Sequence, residues 1–126
     1  MNKKLKIALA QLSPLVGDVL GNVKKLITIR SRLDSDVDVL VVPELYISGY
    51  PIDDLVLRED FLSLIESEIK GLVETTKDGK SAIIFGAPRR DKAVIKNSVY
   101  VIENGKIVAI RDKYELPNTG VFDEQR

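Results

Sequence analysis

The sequence predicts an α/β fold, in which three buried-type strands alternate with two helices and an antiparallel hairpin follows. Three observations carry this. Apolar residues switch from short strand-type stretches to a three-and-four repeat and back, twice. Helices set between strands favour a mostly parallel sheet, because a parallel return needs a crossover. Finally, Asn104-Gly105 sits between two alternating runs, the mark of a two-residue hairpin turn.

Each element has its own signal. KLKIALAQ, residues 4–11, alternates Leu5, Ile7 and Leu9 with smaller or polar neighbours and reads as a strand. SPLVGDVLGN is a loop punctuated by proline and glycine. Asn22 is expected to cap a helix running to about residue 33, with Val23, Leu26, Ile27, Arg30 and Leu33 on one side. VDVLVVPEL holds a second strand ended by Pro43. An irregular stretch over residues 45–54 leads to Asp60, the expected cap of a second helix carrying Phe61, Leu64, Ile65, Ile69, Leu72 and Val73. KDGK is a turn, and AIIFGA over residues 82–87 is a third strand, expected to stop at Pro88. NSVYVIE and KIVAIR form the hairpin. The last sixteen residues, RDKYELPNTGVFDEQR, are polar and loop-like, and no internal repeat or linker interrupts the chain. A chain ending in its most chemically equipped loop is expected to be part of a larger domain.

Composition narrows the function. The 126 residues suit one domain, and 44% hydrophobic with 30% charged residues is ordinary for a globular protein. Lysine plus arginine (19) equals aspartate plus glutamate (19), so no net field draws in nucleic acid or an anionic membrane. The apolar runs are too short to span a bilayer, and the apolar part of MNKKLKIALAQ is too short for a secretory signal. A cytoplasmic protein that begins with a strand is expected. The sequence contains no histidine, so acid–base chemistry near neutral pH falls to carboxylates, lysines or tyrosines. It contains no cysteine either, which removes disulfides, zinc–thiolate sites and thiol nucleophiles from this chain.

Three places set a charged residue just past a buried-type strand: Glu44 after VLVVP, Arg89 and Arg90 after AIIFGAP, and Lys113 after KIVAIRD. In open α/β sheets, ligands gather where loops converge at the carboxyl ends of strands. A carboxylate and an ammonium meeting there can act as base and as a fixed charge for an oxyanion. Taken singly, such residues are ordinarily solvated loop side chains or salt-bridge partners. Spacing alone selects no site.

The motifs do. VVPELYISGYPIDDLVLREDFL, GAPRR, NSVYVIENGKI and DKYELPNTGVFDEQR together resemble the amino-terminal, nitrilase-like glutaminase domain of the glutamine-dependent NAD synthetases. The resemblance runs from KIALAQLSPLVGDVLGN to the last residue. PEL followed by SGYP marks the wider carbon–nitrogen hydrolase superfamily, while PIDDLVLREDFL and LPNTGVFDEQR point to the NAD synthetase branch.

The resemblance implies the amino-terminal half of a nitrilase-type α-β-β-α sandwich with a Glu–Lys–Cys triad between its sheets, so that residues 1–126 form a partial glutaminase domain. By the same resemblance, the general base falls on Glu44 and the lysine on Lys113, with a second, supporting glutamate on Glu124. Phe122 matches an aromatic beside the glutamine pocket, and Thr119 stands where many relatives carry tyrosine. Neither Ser48 nor Thr119 is expected to replace the cysteine, which the resemblance puts beyond residue 126. The rest of the sandwich and the synthetase domain would lie there too. No cofactor is expected in residues 1–126; ATP and magnesium belong to the synthetase domain.

Glutamine is the expected substrate of the complete enzyme, and this chain alone is expected to be inactive. It is also expected to self-associate as a homo-oligomer or to need its remainder, because strand edges and apolar faces would otherwise be bare. Two alternatives stay open: a non-catalytic remnant or binding module from a decayed frame, and part of another amidase of the superfamily. Downstream DNA with a cysteine-bearing frame would favour the enzymatic reading over the remnant.

Overall fold

In the computed structural model, residues 4–50 and 58–113 are described. Their order is β1 (Ile7–Leu9), α1 (Val19–Ser31), β2 (Val39–Val41), α2 (Glu59–Thr75), a short 3₁₀ turn (Thr76–Asp78), β3 (Ala82–Asp91), β4 (Val94–Glu103) and β5 (Lys106–Asp112). The five strands lie side by side in chain order. β1, β2 and β3 pair in parallel, whereas β3–β4 and β4–β5 are antiparallel. The parallel part and the hairpin are therefore as the sequence predicts.

Both crossovers step the same way across the sheet, so connections of one hand bring both helices to one face. The core lies there. Val19, Val23 and Leu26 of α1 and Phe61, Ile65, Ile69 and Leu72 of α2 pack on Leu40, Ile83, Phe85, Tyr100 and Ile102. Phe85 and Tyr100 are register partners whose rings stack at 5.1 Å between centroids. Arg30 is buried beneath α1, where it donates to the carbonyl of Ser81 and forks onto Asp78 at 2.8 and 2.9 Å. That fork ties α1 to the turn beyond α2.

The opposite face carries Val41, Ile84, Val99 and Val101, and among the described residues no helix covers it. Leu5, Ile7 and Leu9 are largely exposed, the last at 75%. The alternation at residues 4–11 is thus real, but the residue of β1 packed against the core is the smaller Ala8.

Several boundaries differ from expectation. β1 pairs only over Ile7–Leu9, with backbone bonds from Asp38 to Lys6 and from Ala10 to Val41 at its ends. α1 starts earlier, because Asp18 accepts from the backbone N–H of Gly21 and caps it. Asn22 is instead buried inside the helix. Its amide exchanges two bonds with the backbone of Leu15 and donates to Ile47 O, which clamps two loops to α1. α2 begins at Glu59, with Arg58 at the cap position; Asp60 lies in the first turn, where its charge suits the helix dipole.

β3 runs through Pro88 to Asp91. Ile84 O accepts from Val42 N and Gly86 O from Ile47 N, so alternate residues of β3 aim their backbone groups toward β2. Pro88 is next in that alternation, and its missing N–H removes no bond to β4. At the other hairpin, Asn104 and Gly105 adopt φ values of 51° and 75°, as a primed turn requires.

Candidate active site

Pro43 ends β2 and turns the chain so that Glu44 leaves the sheet at its carboxyl edge. The next residue, Leu45, is buried yet has φ 53°, a left-handed conformation unusual for a branched side chain. Backbone bonds on both sides hold it there. Tyr46 N and Gly49 N donate to the carbonyls of Pro43 and Leu45, and Ile47 N bonds to Gly86 O. The turn also presses directly onto β3. A Cβ on Gly86 would overlap Leu45 N and lie 3.1 Å from Glu44 Cα, so only glycine admits the backbone of Glu44 so closely.

Lys113 reaches the same point from β5. Its backbone N–H donates to Asn97 O at 2.8 Å, which extends the β4–β5 ladder by one bond. Its ammonium lies 2.8 Å from Glu44 Oε1. Asn97, nearly buried on β4, donates its Nδ2 to that same oxygen at 2.8 Å. The Lys113 hydrogen bond holds the Glu44 carboxyl below its ordinary pKa; partial burial works against this, and the Asn97 bond adds to it. Glu44 is therefore ionised at neutral pH.

The pair stands at one end of an open cleft of ≈ 390 Å³, lined also by Val41, Ile84, Val99 and Arg111. The cleft opens on the face that the helices do not cover. Next to it, Asp112 accepts from Ser98 Oγ at 2.6 Å and from Arg89 at 2.9 and 3.2 Å. Burial pushes the Asp112 carboxyl up, but those two partners outweigh it and the net shift is downward.

Other groups are accounted for. Arg89 and Arg90 lie within β3 rather than past its end, and Arg90 pairs with Glu59 at 2.7 Å. Ser48 is fully buried, with its hydroxyl directed at the carbonyls of Gly49 and Leu45. It is therefore poorly placed as a nucleophile. Burial pushes the Tyr100 phenol up to about 12, which removes it as a base near neutral pH. Among the described residues no cluster of three metal-ligating side chains occurs, and no helix is long and apolar enough to cross a membrane.

Of the residues singled out in the sequence, Glu44 and Lys113 are brought together. Thr119, Phe122 and Glu124 lie outside the described residues. Asn97 was missed as a site residue. It opens the alternating NSVYVIE run, and a polar residue at a strand's start carries no signal of what faces it across the sheet.

Known proteins share this sequence pattern and fold. The carbon–nitrogen hydrolase family matches residues 6–126. A glutamine-dependent NAD(+) synthetase of Thermotoga maritima is 38% identical over 125 residues, and one of Xanthomonas campestris is 39% identical over 124. Each match covers nearly all of this chain, which spans 22% of the length of either relative. The structure of glutamine-dependent NAD+ synthetase from Acinetobacter baumannii superposes with a TM-score of 0.78 at 31% identity, over 94% of this chain and 22% of that one. An amidase from Nesterenkonia shares the fold, with a TM-score of 0.79 at 18% identity over 97% of this chain and 48% of its own. The resemblance read in the motifs thus holds over the whole sequence, and the chain belongs to the carbon–nitrogen hydrolase family.

Proposed function

We propose that residues 1–126 supply the base and the cation of a glutamine-hydrolysing centre whose thiol comes from outside them, as part of a glutamine-dependent NAD synthetase. The observation that carries this reading is the 2.8 Å contact of Lys113 Nζ with Glu44 Oε1 at the sheet's carboxyl edge. Two residues from distant segments, each at the end of a strand, meet in one cleft.

The chemistry follows from the charges. An ionised Glu44 takes the proton of an incoming thiol, and the thiolate attacks the side-chain amide carbon of glutamine. Negative charge then builds on the amide oxygen, where the Lys113 ammonium stabilises it. Protonated Glu44 hands its proton to the leaving nitrogen, so ammonia departs and a thioester remains. Glu44 next takes a proton from water as it attacks the thioester. Glutamate leaves and the thiol is restored. Glu124, Phe122 and Thr119 belong to this proposal as the supporting carboxylate and the glutamine contacts. ATP and magnesium would serve only the synthetase domain, where the ammonia amidates deamido-NAD.

The test is ammonia release from glutamine by the chain alone and with the cysteine-bearing remainder supplied in trans. The expected result is no release alone and release in the mixture, abolished by Glu44→Ala and strongly lowered by Lys113→Ala. Release by the chain alone that Glu44→Ala abolishes would overturn the external thiol. A mixture insensitive to Lys113→Ala would overturn the assigned roles.

A further inference from the structure

We infer that Asn97 is the positioning residue of this centre, fixing the base through its side chain and the cation through its backbone. The inference rests on the reading of Glu44 as the base.

Three bonds converge. Asn97 Nδ2 donates to Glu44 Oε1, Asn97 O accepts from Lys113 N, and Lys113 Nζ reaches Oε1, each at 2.8 Å. One residue therefore holds both members of the pair, from the middle of three antiparallel strands. Both donors act on the same carboxylate oxygen. Two donors on Oε1 fix how the carboxylate is turned toward the cleft.

The placement is rigid for a physical reason. Asn97 is 7% exposed, so its amide has little water to compete for, and it sits in register with Pro88 across the β3–β4 ladder. Lys113 is steadied from its other side, because the preceding Asp112 is held by Ser98 and Arg89. An amide suits the task where a carboxylate does not. It donates to ionised Glu44 without adding charge, whereas an aspartate would set two like charges at hydrogen-bond distance.

Besides Lys113, the charged described residues around the cleft are Arg111 and Asp112, and Asp112 is engaged by Arg89 and Ser98. Removing the Asn97 donor is thus expected to act on Glu44 directly.

Asn97→Ala and the isosteric Asn97→Asp test this, since both keep the backbone bond to Lys113. The first readout is the titration of the Glu44 carboxyl, followed by carbon-13 NMR in the 126-residue chain. The midpoint is expected to rise in Asn97→Ala and to rise further in Asn97→Asp. The second is ammonia release in the mixture with the cysteine-bearing remainder. There kcat is expected to fall on the order of 100-fold, as for a misplaced catalytic group, with KM for glutamine within about twofold. The acidic limb of the pH profile should move up with the Glu44 midpoint. A wild-type Glu44 titration in both variants, or a loss confined to KM, overturns the inference. A shifted titration in a mixture whose wild-type form releases no ammonia would sink the proposed function and leave the positioning role standing.

Discussion

Lys113 Nζ and Glu44 Oε1 stand 2.8 Å apart although β3 and β4 separate their strands in sequence. The contact exists because β2 and β5 both deliver their following residues to one edge of the sheet, with the end of β4 between them. In the supplemented enzyme, Glu44→Gln keeps the shape but cannot take a proton, and turnover is expected to fall about 10²–10⁴-fold. Lys113→Met removes the charge, with an expected loss on the order of 10²–10³. Single-turnover ammonia release checks both, and wild-type rates in either variant would contradict the assigned chemistry.

Gly86 is the structural condition for that contact. Gly86→Ala forces its methyl into the backbone at Glu44 and Leu45, which cannot yield as cheaply as a flexible side chain. A loss of about 1–3 kcal/mol is expected from urea unfolding, as for overpacked cores. The displaced Glu44 should also lower turnover in the supplemented enzyme more than that destabilisation explains. Unchanged stability together with unchanged turnover would show that the turn adapts.

The Arg30–Asp78 fork gives a pH prediction. Asp78 is held down to about 2 in the fold, first by its bond from Arg30, against an ordinary value of 3.8. A carboxyl with a depressed folded pKa binds fewer protons folded than unfolded, so its stabilisation is complete above about 4 and fades as pH falls toward 2. Asp78→Asn is expected to cost roughly 1 kcal/mol at pH 7, a modest figure because Asp78 faces water on one side. The gap to wild type should close as pH falls through about 2. A gap independent of pH would show that the pair's charge contributes nothing.

The uncovered sheet face leads to the fourth expectation. Val99 on β4 and Ile7 and Leu9 on β1 leave apolar surface on the side away from the helices. The isolated chain is expected to self-associate in sedimentation velocity, and Val99→Lys to shift it toward monomer. A compact wild-type monomer with sharp thermal unfolding would contradict this.

Much of the fold was legible because its signals are local. The β-branched run VLVV, the repeat through Phe61, Ile65, Ile69 and Leu72, and Asn104-Gly105 each report the backbone they sit in. Where local signals competed, tertiary contacts decided. Asn22 is a good cap by type, but its amide is spent on Leu15 and Ile47, and Asp18 caps instead. Pro88 reads as a strand end, yet its alternation toward the β2 side lets β3 continue.

By itself, the sequence determined the alternation of elements, the missing thiol and imidazole, and, through its motifs, which carboxylate and which ammonium to watch. Only the tertiary structure decided that both helices share one face, that Gly86 admits the Glu44 turn, and that Asn97 joins Glu44 to Lys113. Periodicity and turn chemistry are properties of neighbours along the chain. Which side chains converge at a sheet's edge depends on strand order and register, and those are set by packing between distant segments.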